Sequence, residues 1–345
     1  MTPKRAFITG IAGFAGSHLA EHLLGMGLEV SGASLPAGGT ANVDHLGDAI
    51  RLYPGDLSDA AWVRSVLAEV RPDYVFHLAA QAAVPTALAA PAQTLVNNIV
   101  GQLNLLEALR ALSLSPRVLI IGSADEYGLV RPEELPIRET NPLRPNNPYA
   151  VSKIAQDFLG YQYFLSHGLP VVRLRPFNHI GPRQGPGFVV ADFARQIAEA
   201  EAGLRPPIVR VGNLTARRDF SDVRDIVRGY ALALERGEPG EVYNLGSEQA
   251  WSIRQVLDTL LGLSRVPLAV EPDPARLRPS DVPVVVSDCS KFRAQTGWHT
   301  TYSLVASLRD ILDYWREQVA IGRREGQAAG RPPGGQQPAR QEDQP

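Results

Sequence analysis

The sequence predicts an α/β fold: a doubly wound parallel sheet that carries a smaller, mixed α/β region toward the C-terminus. Three observations predict it. Short apolar runs of strand length alternate with stretches in which apolar residues recur every three or four positions, the pattern of buried strands separated by amphipathic helices. The first such strand enters a glycine-rich turn and then a helix at once. After Arg175 the rhythm gives way to shorter elements divided by proline and glycine.

The elements follow in order. Arg5–Thr9 is the first strand, an Ala-Phe-Ile core too short for a helix, and Gly10-Ile11-Ala12-Gly13-Phe14-Ala15-Gly16 is the turn that ends it. The helix Gly16–Met26 comes next, then the strands Glu29–Ala33 and Ile50–Pro54. Ala60–Glu69 is a helix by its apolar spacing, Tyr74–Leu78 a strand, Thr94–Leu112 a long helix and Val118–Gly122 a strand. The helix Pro148–Ser166 opens on a proline, which suits a first helical turn, and Pro170–Arg175 is the last clear strand. Gly181–Gly187, Pro206–Pro207 and Pro267–Pro283 divide the remainder, and folded structure is expected to end with a helix over Ser303–Val319. From Gly322 to Pro345 the 24 residues hold five Gly, four Pro and five Gln and no bulky apolar side chain, so a disordered tail is expected. Residues 1–175 thus form a nucleotide-binding domain, completed by parts of 215–245, and 176–214 with 246–320 form a substrate-binding region.

At 345 residues the chain is long enough for about two domains and a large core. With 34 Lys and Arg against 36 Asp and Glu, its net charge of −2 gives no pull toward nucleic acid or an anionic membrane, so an anionic ligand must be held by local arginines. The single cysteine, Cys289, excludes an internal disulfide and leaves no cysteine pair at metal spacing; no metal is expected, and a reducing cytoplasm suits the chain. The start lacks the long apolar run of an export signal. His77, Pro85, Pro91 and Asn97 interrupt the most apolar stretch, so no membrane span is expected.

The glycine turn is suited to a dinucleotide. It needs a left-handed residue, backbone close enough to touch a pyrophosphate, and a helix N-terminus whose N–H groups meet the phosphates, all of which glycine permits. A second constellation lies further on. Tyr149 and Lys153 are four apart on one helix, so the ammonium can approach the phenol and bring its pKa of about 10 toward neutrality. Ser123, at the end of the strand Val118–Gly122, can hold the substrate oxygen that Tyr149 protonates. His77, among small apolar residues, reads as a packed histidine without a chemical role.

Thr9 to Gly16, Ser123 and the Tyr149/Lys153 pair resemble the extended short-chain dehydrogenase/reductase family, as do His77-Leu78-Ala79-Ala80-Gln81, Asn98-Ile99-Val100-Gly101 and Pro176-Phe177-Asn178. Asn178–Arg183, Gly187–Val189, Val211–Leu214, Arg217–Phe220, Arg278–Pro283 and Asp288–Ser290 are similar to its GDP-mannose 4,6-dehydratase and GDP-4-dehydro-6-deoxy-D-mannose reductase subgroup. The resemblance covers residues 5 to about 318. It implies a Rossmann domain that binds NADPH or NADH through Gly10, Gly13, Phe14, Ala15, Gly16, Ser34, Asp56, Leu57, Leu78, Ala79, Ala80, Asn98, Tyr149, Lys153 and Pro176. It implies a GDP-linked 4-keto-6-deoxy sugar held by Ser123, Asn178, Val189, Arg218 and Arg278, and a homodimer. Ser123, Tyr149, Lys153 and Asp125 are the catalytic candidates.

Reduction and dehydration differ at the sugar C5, where dehydration needs a base. The dehydratases resembled place a Glu two residues before the Tyr127-Gly128 position, where this chain has Asp125. One methylene less withdraws the carboxylate by roughly 1.5 Å, and misplacement by 1 Å can cost about 10²-fold. Asp192 likewise falls near a position where the dehydratase has a Lys. Reduction of the C4 ketone to GDP-D-rhamnose is therefore the expected reaction. A 4,6-dehydratase, a nucleotide-sugar epimerase and a non-catalytic NAD(P) sensor stay open as alternatives. The second strand ends in Ala33-Ser34-Leu35-Pro36 without the carboxylate that selects NADH, so both cofactors are expected, with a modest preference for NADPH.

Overall fold

The structure is a computed structural model that describes residues 3–276 and 282–329. The chain runs through β1 (Arg5–Thr9), α1 (Phe14–Gly25), β2 (Glu29–Ser34), β3 (Ile50–Pro54), α2 (Ala60–Val70) and β4 (Tyr74–His77). Next are α3 (Val84–Ala89), α4 (Pro91–Leu95), a π-helical turn at Val96–Val100, α5 (Gly101–Ala111), β5 (Arg117–Ile121), α6 (Pro148–His167) and β6 (Val171–Pro176). The second half contains β7 (Asn178–Ile180), α7 (Val189–Glu201), β8 (Ile208–Val211), β9 (Arg217–Asp222), α8 (Val223–Arg236) and β10 (Val242–Leu245). It ends with β11 (Ala250–Ser252), α9 (Ile253–Gly262), β12 (Ala269–Pro272), β13 (Val284–Val285), α10 (Ser290–Thr296) and α11 (Leu304–Ala329).

Seven strands form one parallel sheet in the order β10-β6-β5-β4-β1-β2-β3. Its central strands are nearly continuous apolar runs because helices cover both faces. On one face Ile8, Leu119 and Leu174 pack with Leu19 of α1 and Val223, Ile226 and Tyr230 of α8. On the other, Phe7, Val118 and Ile120 pack with Leu67 of α2, Leu105 and Leu109 of α5 and Tyr163 of α6. Truncating one such fully buried leucine to alanine costs about 2–5 kcal/mol. The outermost strand, β10, comes from the second half and pairs with β6, so the sheet draws on residues beyond Arg175.

A smaller region stands on the carboxyl edge of this sheet. β9 pairs with β11, β13 and β7, and β8 pairs with β12. Its core joins Phe193 and Ile197 of α7, Val256 and Leu260 of α9, and Leu308, Ile311 and Leu312 of α11. Chain crossing between the two layers happens at Pro176: this residue is still in register with Leu245, Phe177 donates its N–H to the Leu245 oxygen at 2.8 Å, and Asn178 starts β7 against Phe220.

Three expectations are corrected. The helix expected over Thr94–Leu112 contains the π turn, which inserts an extra residue around Asn98, a device common at functional sites. The last helix reaches Ala329, so 322–329 are helical: the stretch contains good helix formers and merely prolongs an existing helix, which costs little. The rest of the expected tail, 330–345, lies outside the described residues. The stretch Pro267–Pro283, expected to divide shorter elements, itself contains one, β12, held by pairing with β8 across the sequence. Among the described residues no helix is long and apolar enough to cross a membrane.

Candidate active site

The predicted residues that follow strands gather at the carboxyl edge of the sheet: Gly10–Gly16 after β1, Ser34 at the end of β2, Asp56 and Leu57 after β3, Leu78, Ala79 and Ala80 after β4, Ser123 after β5, Pro176 at the end of β6. β1 and β4 are neighbours from which the strand order runs outward in both directions, and the carboxyl edge of such a pair is where an open α/β sheet binds its ligand.

Gly10 has φ 74°, and a Cβ there would lie 3.1 Å from the Ala79 backbone; a Cβ on Gly16 would lie 2.1 Å from the Gly10 oxygen. Side chains would fill this cradle. α1 starts at Gly13 with no side-chain cap, so the first-turn N–H groups of Phe14, Ala15 and Gly16 have no helical acceptor and present a positive dipole end. A pyrophosphate fits that donor set. Asp56 closes a tight turn by accepting the Ser58 N–H at 2.8 Å, and Leu57 sits where a Cβ on Gly101 would be 3.2 Å away. Ser34 is buried, and its backbone carbonyl accepts the Gly55 N–H at 2.9 Å.

α6 opens on Asn147, whose side chain accepts the Ala150 N–H at 2.9 Å, followed by Pro148. This cap sets Tyr149 and Lys153 one turn apart on the buried face. The Ser123 side chain lies near enough to the Tyr149 hydroxyl to favour its ionised form, so the end of β5 and the start of α6 meet at one point. Asp125 is half-buried in the turn after Ser123, near enough for its charge to act on Tyr149.

The expected lowering of the phenol pKa is corrected. Burial above all, then the Asp125 charge, pushes Tyr149 above the usual range, against the Ser123 side chain. Lys153 Nζ donates to Gln156 Oε1 at 2.9 Å, and burial brings its pKa down to about 8 despite Glu126 and Asp157, which raise it. His77 is buried between Thr9 Oγ1, 2.9 Å from Nδ1, and Gln156 Nε2, 3.1 Å from Nε2. Burial and then the Lys153 charge lower its pKa to about 3, so it is neutral. Asn98 accepts the Gln81 N–H at 2.8 Å and donates to Ser152 Oγ at 2.9 Å; fully buried, its amide joins the β4 loop to α6.

The substrate candidates lie opposite, in the smaller region. Asn178 is exposed on β7 and Val189 is the first residue of α7. Arg218, on β9, donates from Nη1 to the Val282 oxygen at 2.7 Å and the Arg217 oxygen at 2.9 Å. Arg278 lies outside the described residues. Asp192 accepts the Gly187 N–H at 3.1 Å and pairs with Arg276 at 3.3 Å. Phe14 stacks on His179 with centroids 5.8 Å apart, and Arg183 grips Glu21 with two contacts of 2.8 Å, so the glycine turn and α1 are fastened to β7 and the segment after it.

Fold and site define a dinucleotide-binding oxidoreductase of the extended short-chain dehydrogenase/reductase class. A family model described as GDP-mannose 4,6 dehydratase matches residues 7–311, and the chain belongs to that family. It is 40% identical over 316 residues to a GDP-6-deoxy-D-mannose reductase of Pseudomonas aeruginosa, covering 92% of this chain and 98% of the relative. It is 32% identical to a GDP-mannose 4,6-dehydratase of Vibrio cholerae, covering 92% and 95%. A solved structure of RMD from Pseudomonas aeruginosa complexed with NADPH superposes with a TM-score of 0.80 and 37% identity, over 91% of this chain and 99% of that one.

Sequence reasoning passed over two buried carboxylic residues. Glu126 completes a capping box with Ser123, and the S-x-x-E pattern Ser123–Glu126 was its signal. Asp219 accepts from Ser247 N at 2.7 Å, Glu248 N at 3.0 Å and Ser287 N at 3.0 Å, fastening β9 to the end of β10. Its segment Arg217–Phe220 carries part of the resemblance, but its partners are remote in sequence, so no local pattern shows that it is buried and bonded.

Proposed function

We propose that the protein reduces the C4 ketone of GDP-4-dehydro-6-deoxy-D-mannose to give GDP-D-rhamnose, with NADPH modestly preferred over NADH. The observation that carries this reading is the convergence of the buried Tyr149 phenol, which holds its proton, with Ser123 and Lys153 at the carboxyl edge of the sheet. Reduction consumes that proton. The names of the Pseudomonas reductase and of its NADPH complex support the reaction and the cofactor. Asp125 in place of a Glu supports reduction over dehydration, and Glu126 beside it is wholly buried, with its carboxyl engaged by the Ser123 N–H.

Gly10, Gly13, Phe14, Ala15 and Gly16 would hold the pyrophosphate, with Ser34 beside the adenosine ribose and Lys153 on the other ribose. Bound NADPH supplies the hydride to C4. Tyr149 passes its hydroxyl proton to the ketone oxygen as the C–O π pair becomes an alkoxide pair, and Ser123 donates a hydrogen bond to that developing charge. Arg218 and Arg278 serve the diphosphate as a charge-assisted clamp. We take the assembly to be a homodimer in the cytoplasm. Phe158, 49% exposed, and Leu165, 63% exposed, on α6 support the dimer, and the buried free thiol of Cys289 supports the compartment.

The test supplies two substrates separately. With GDP-4-dehydro-6-deoxy-D-mannose and NADPH, the 340 nm absorbance falls; with GDP-mannose, no 4-keto product forms. Robust 4-keto formation from GDP-mannose assigns the chain to dehydration instead.

A further inference from the structure

The floor of the proton-transfer site is a buried ionic cluster to which the proposed reaction assigns nothing. Glu126 is wholly inaccessible. Its Oε1 accepts the Ser123 N–H at 2.8 Å, while Ser123 Oγ accepts the Asp125 N–H at 3.1 Å, so the turn fixes Ser123 at both backbone and hydroxyl. Its Oε2 is 2.8 Å from Arg175 Nε, and Arg175 also pairs with Asp157, which holds Arg173 at 2.8 Å. Room for the carboxyl comes from Gly122, where a Cβ would lie 2.2 Å from Glu126 Oε1. Ser123 is thus supported from β5, α6 and β6 together.

We propose that Glu126 is the positioning residue of the proton-transfer site: held by Arg175, it fixes Ser123 from beneath and adds its own charge to that of Asp157 near Lys153. The assignment rests on the reductase reading. A carboxylate wholly out of water is expensive unless paired, and Arg175 supplies that pairing while the Ser123 N–H gives it direction. The charged and titratable groups around Glu126 are Asp125 and Tyr127 on its own turn, Tyr149, Lys153 and Asp157 on α6, and Arg175 on β6, with Glu139 acting on Tyr127 from the following loop. Burial and then Asp157 raise the Glu126 pKa to about 8, against Arg175, so the carboxyl carries its charge on the alkaline side, where Lys153 also titrates. Its charge in turn raises Lys153, whose pKa is near 8. Removing that charge therefore lowers Lys153 further.

Glu126→Ala removes the Ser123 support; kcat falls by about tenfold or more, in line with the cost of a misplaced oxyanion donor, while the sugar KM changes by less than about threefold. Glu126→Gln retains an acceptor for Ser123 and loses the charge. Its kcat lies between wild type and Glu126→Ala, and the alkaline limb of kcat/KM moves to lower pH, by about half a unit or more. A purely structural residue would not move that limb. The same limb is read in NADPH binding by fluorescence, which needs no turnover and so separates failure of this assignment from failure of the reductase reading. Gly122→Ala, which displaces the carboxyl without deleting it, shifts the limb in the same direction and decides the matter if Glu126→Ala fails to fold. Wild-type kcat in Glu126→Ala, or an unmoved limb in Glu126→Gln and Gly122→Ala, overturns the proposal.

Discussion

Tyr149 is the residue on which the chemistry turns. Tyr149→Phe keeps the ring and its packing and removes only the proton, so kcat falls by about 10²–10⁴-fold, the usual worth of a positioned acid, with NADPH affinity nearly unchanged. Steady-state kinetics beside a fluorescence titration check this, and a variant that retains more than about a third of wild-type kcat would remove Tyr149 from the role. His77 tests the electrostatics from the other side. Its pKa is lowered to about 3 in the folded chain, so its imidazole NMR signals keep their neutral positions at pH 5, where an ordinary histidine of pKa about 6.5 is charged. Because only the unfolded chain takes up that proton between about pH 6.5 and 3, the contribution of His77 to stability is complete above that range and is lost as pH falls through it. A His77 signal titrating near 6.5 would contradict the buried geometry. At this scale the sequence was legible wherever chemistry imposes a residue type at a fixed spacing, as with Tyr149 and Lys153. It was opaque where a partner comes from elsewhere: nothing near Glu126 announces Arg175, and the rise in the Tyr149 pKa follows from burial that no local pattern displays.

Among the elements, the glycine turn makes the sharpest prediction because it contains its own control. Gly16 and Gly25 both belong to α1. A Cβ at Gly16 would strike the Gly10 oxygen at 2.1 Å, whereas one at Gly25 meets nothing within 4 Å. Gly16→Ala therefore opens the turn and weakens NADPH binding by about tenfold or more, that is about 1.4 kcal/mol. Gly25→Ala leaves binding alone and raises stability by about 0.4–1 kcal/mol through the unfolded chain. Calorimetric titration and thermal melts of the two variants check the pair; equal NADPH affinity in both would remove the turn from the pyrophosphate site. The turn, the strands β1 to β6 and α6 could be read directly from apolar runs and helical spacing. β7 and β11, of three residues each, and β13, of two, are too short for a period to register, and they exist because β9 offers them a partner across the sequence. The π turn at Asn98 was hidden for a related reason: its side chains repeat like those of any helix, and only the contacts with Gln81 and Ser152 show why an extra residue is accommodated.

At the scale of the whole molecule, a parallel sheet collects its chemical groups on one edge and a second layer faces that edge across a seam. Phe14 on His179 and Arg183 on Glu21 hold this seam closed at the cofactor end, and Asp219 holds it at the end of β10. A net charge of −2 leaves recognition to placed groups rather than to a general field. The architecture was legible in advance because alternating strands and helices admit few topologies, while the closing strand β10 was harder to see, being four residues that arrive after a long excursion through the second layer. The most direct test of the proposed reaction follows one atom. NADPH carrying deuterium at the transferable position of C4 is supplied with GDP-4-dehydro-6-deoxy-D-mannose, and the nucleotide sugar formed is read by NMR. Reduction places deuterium on the sugar C4 of GDP-D-rhamnose, one for each NADPH oxidised, and none on C5 or C6. Deuterium at C6, or a product without label, would contradict the assignment of this site to reduction of the C4 ketone.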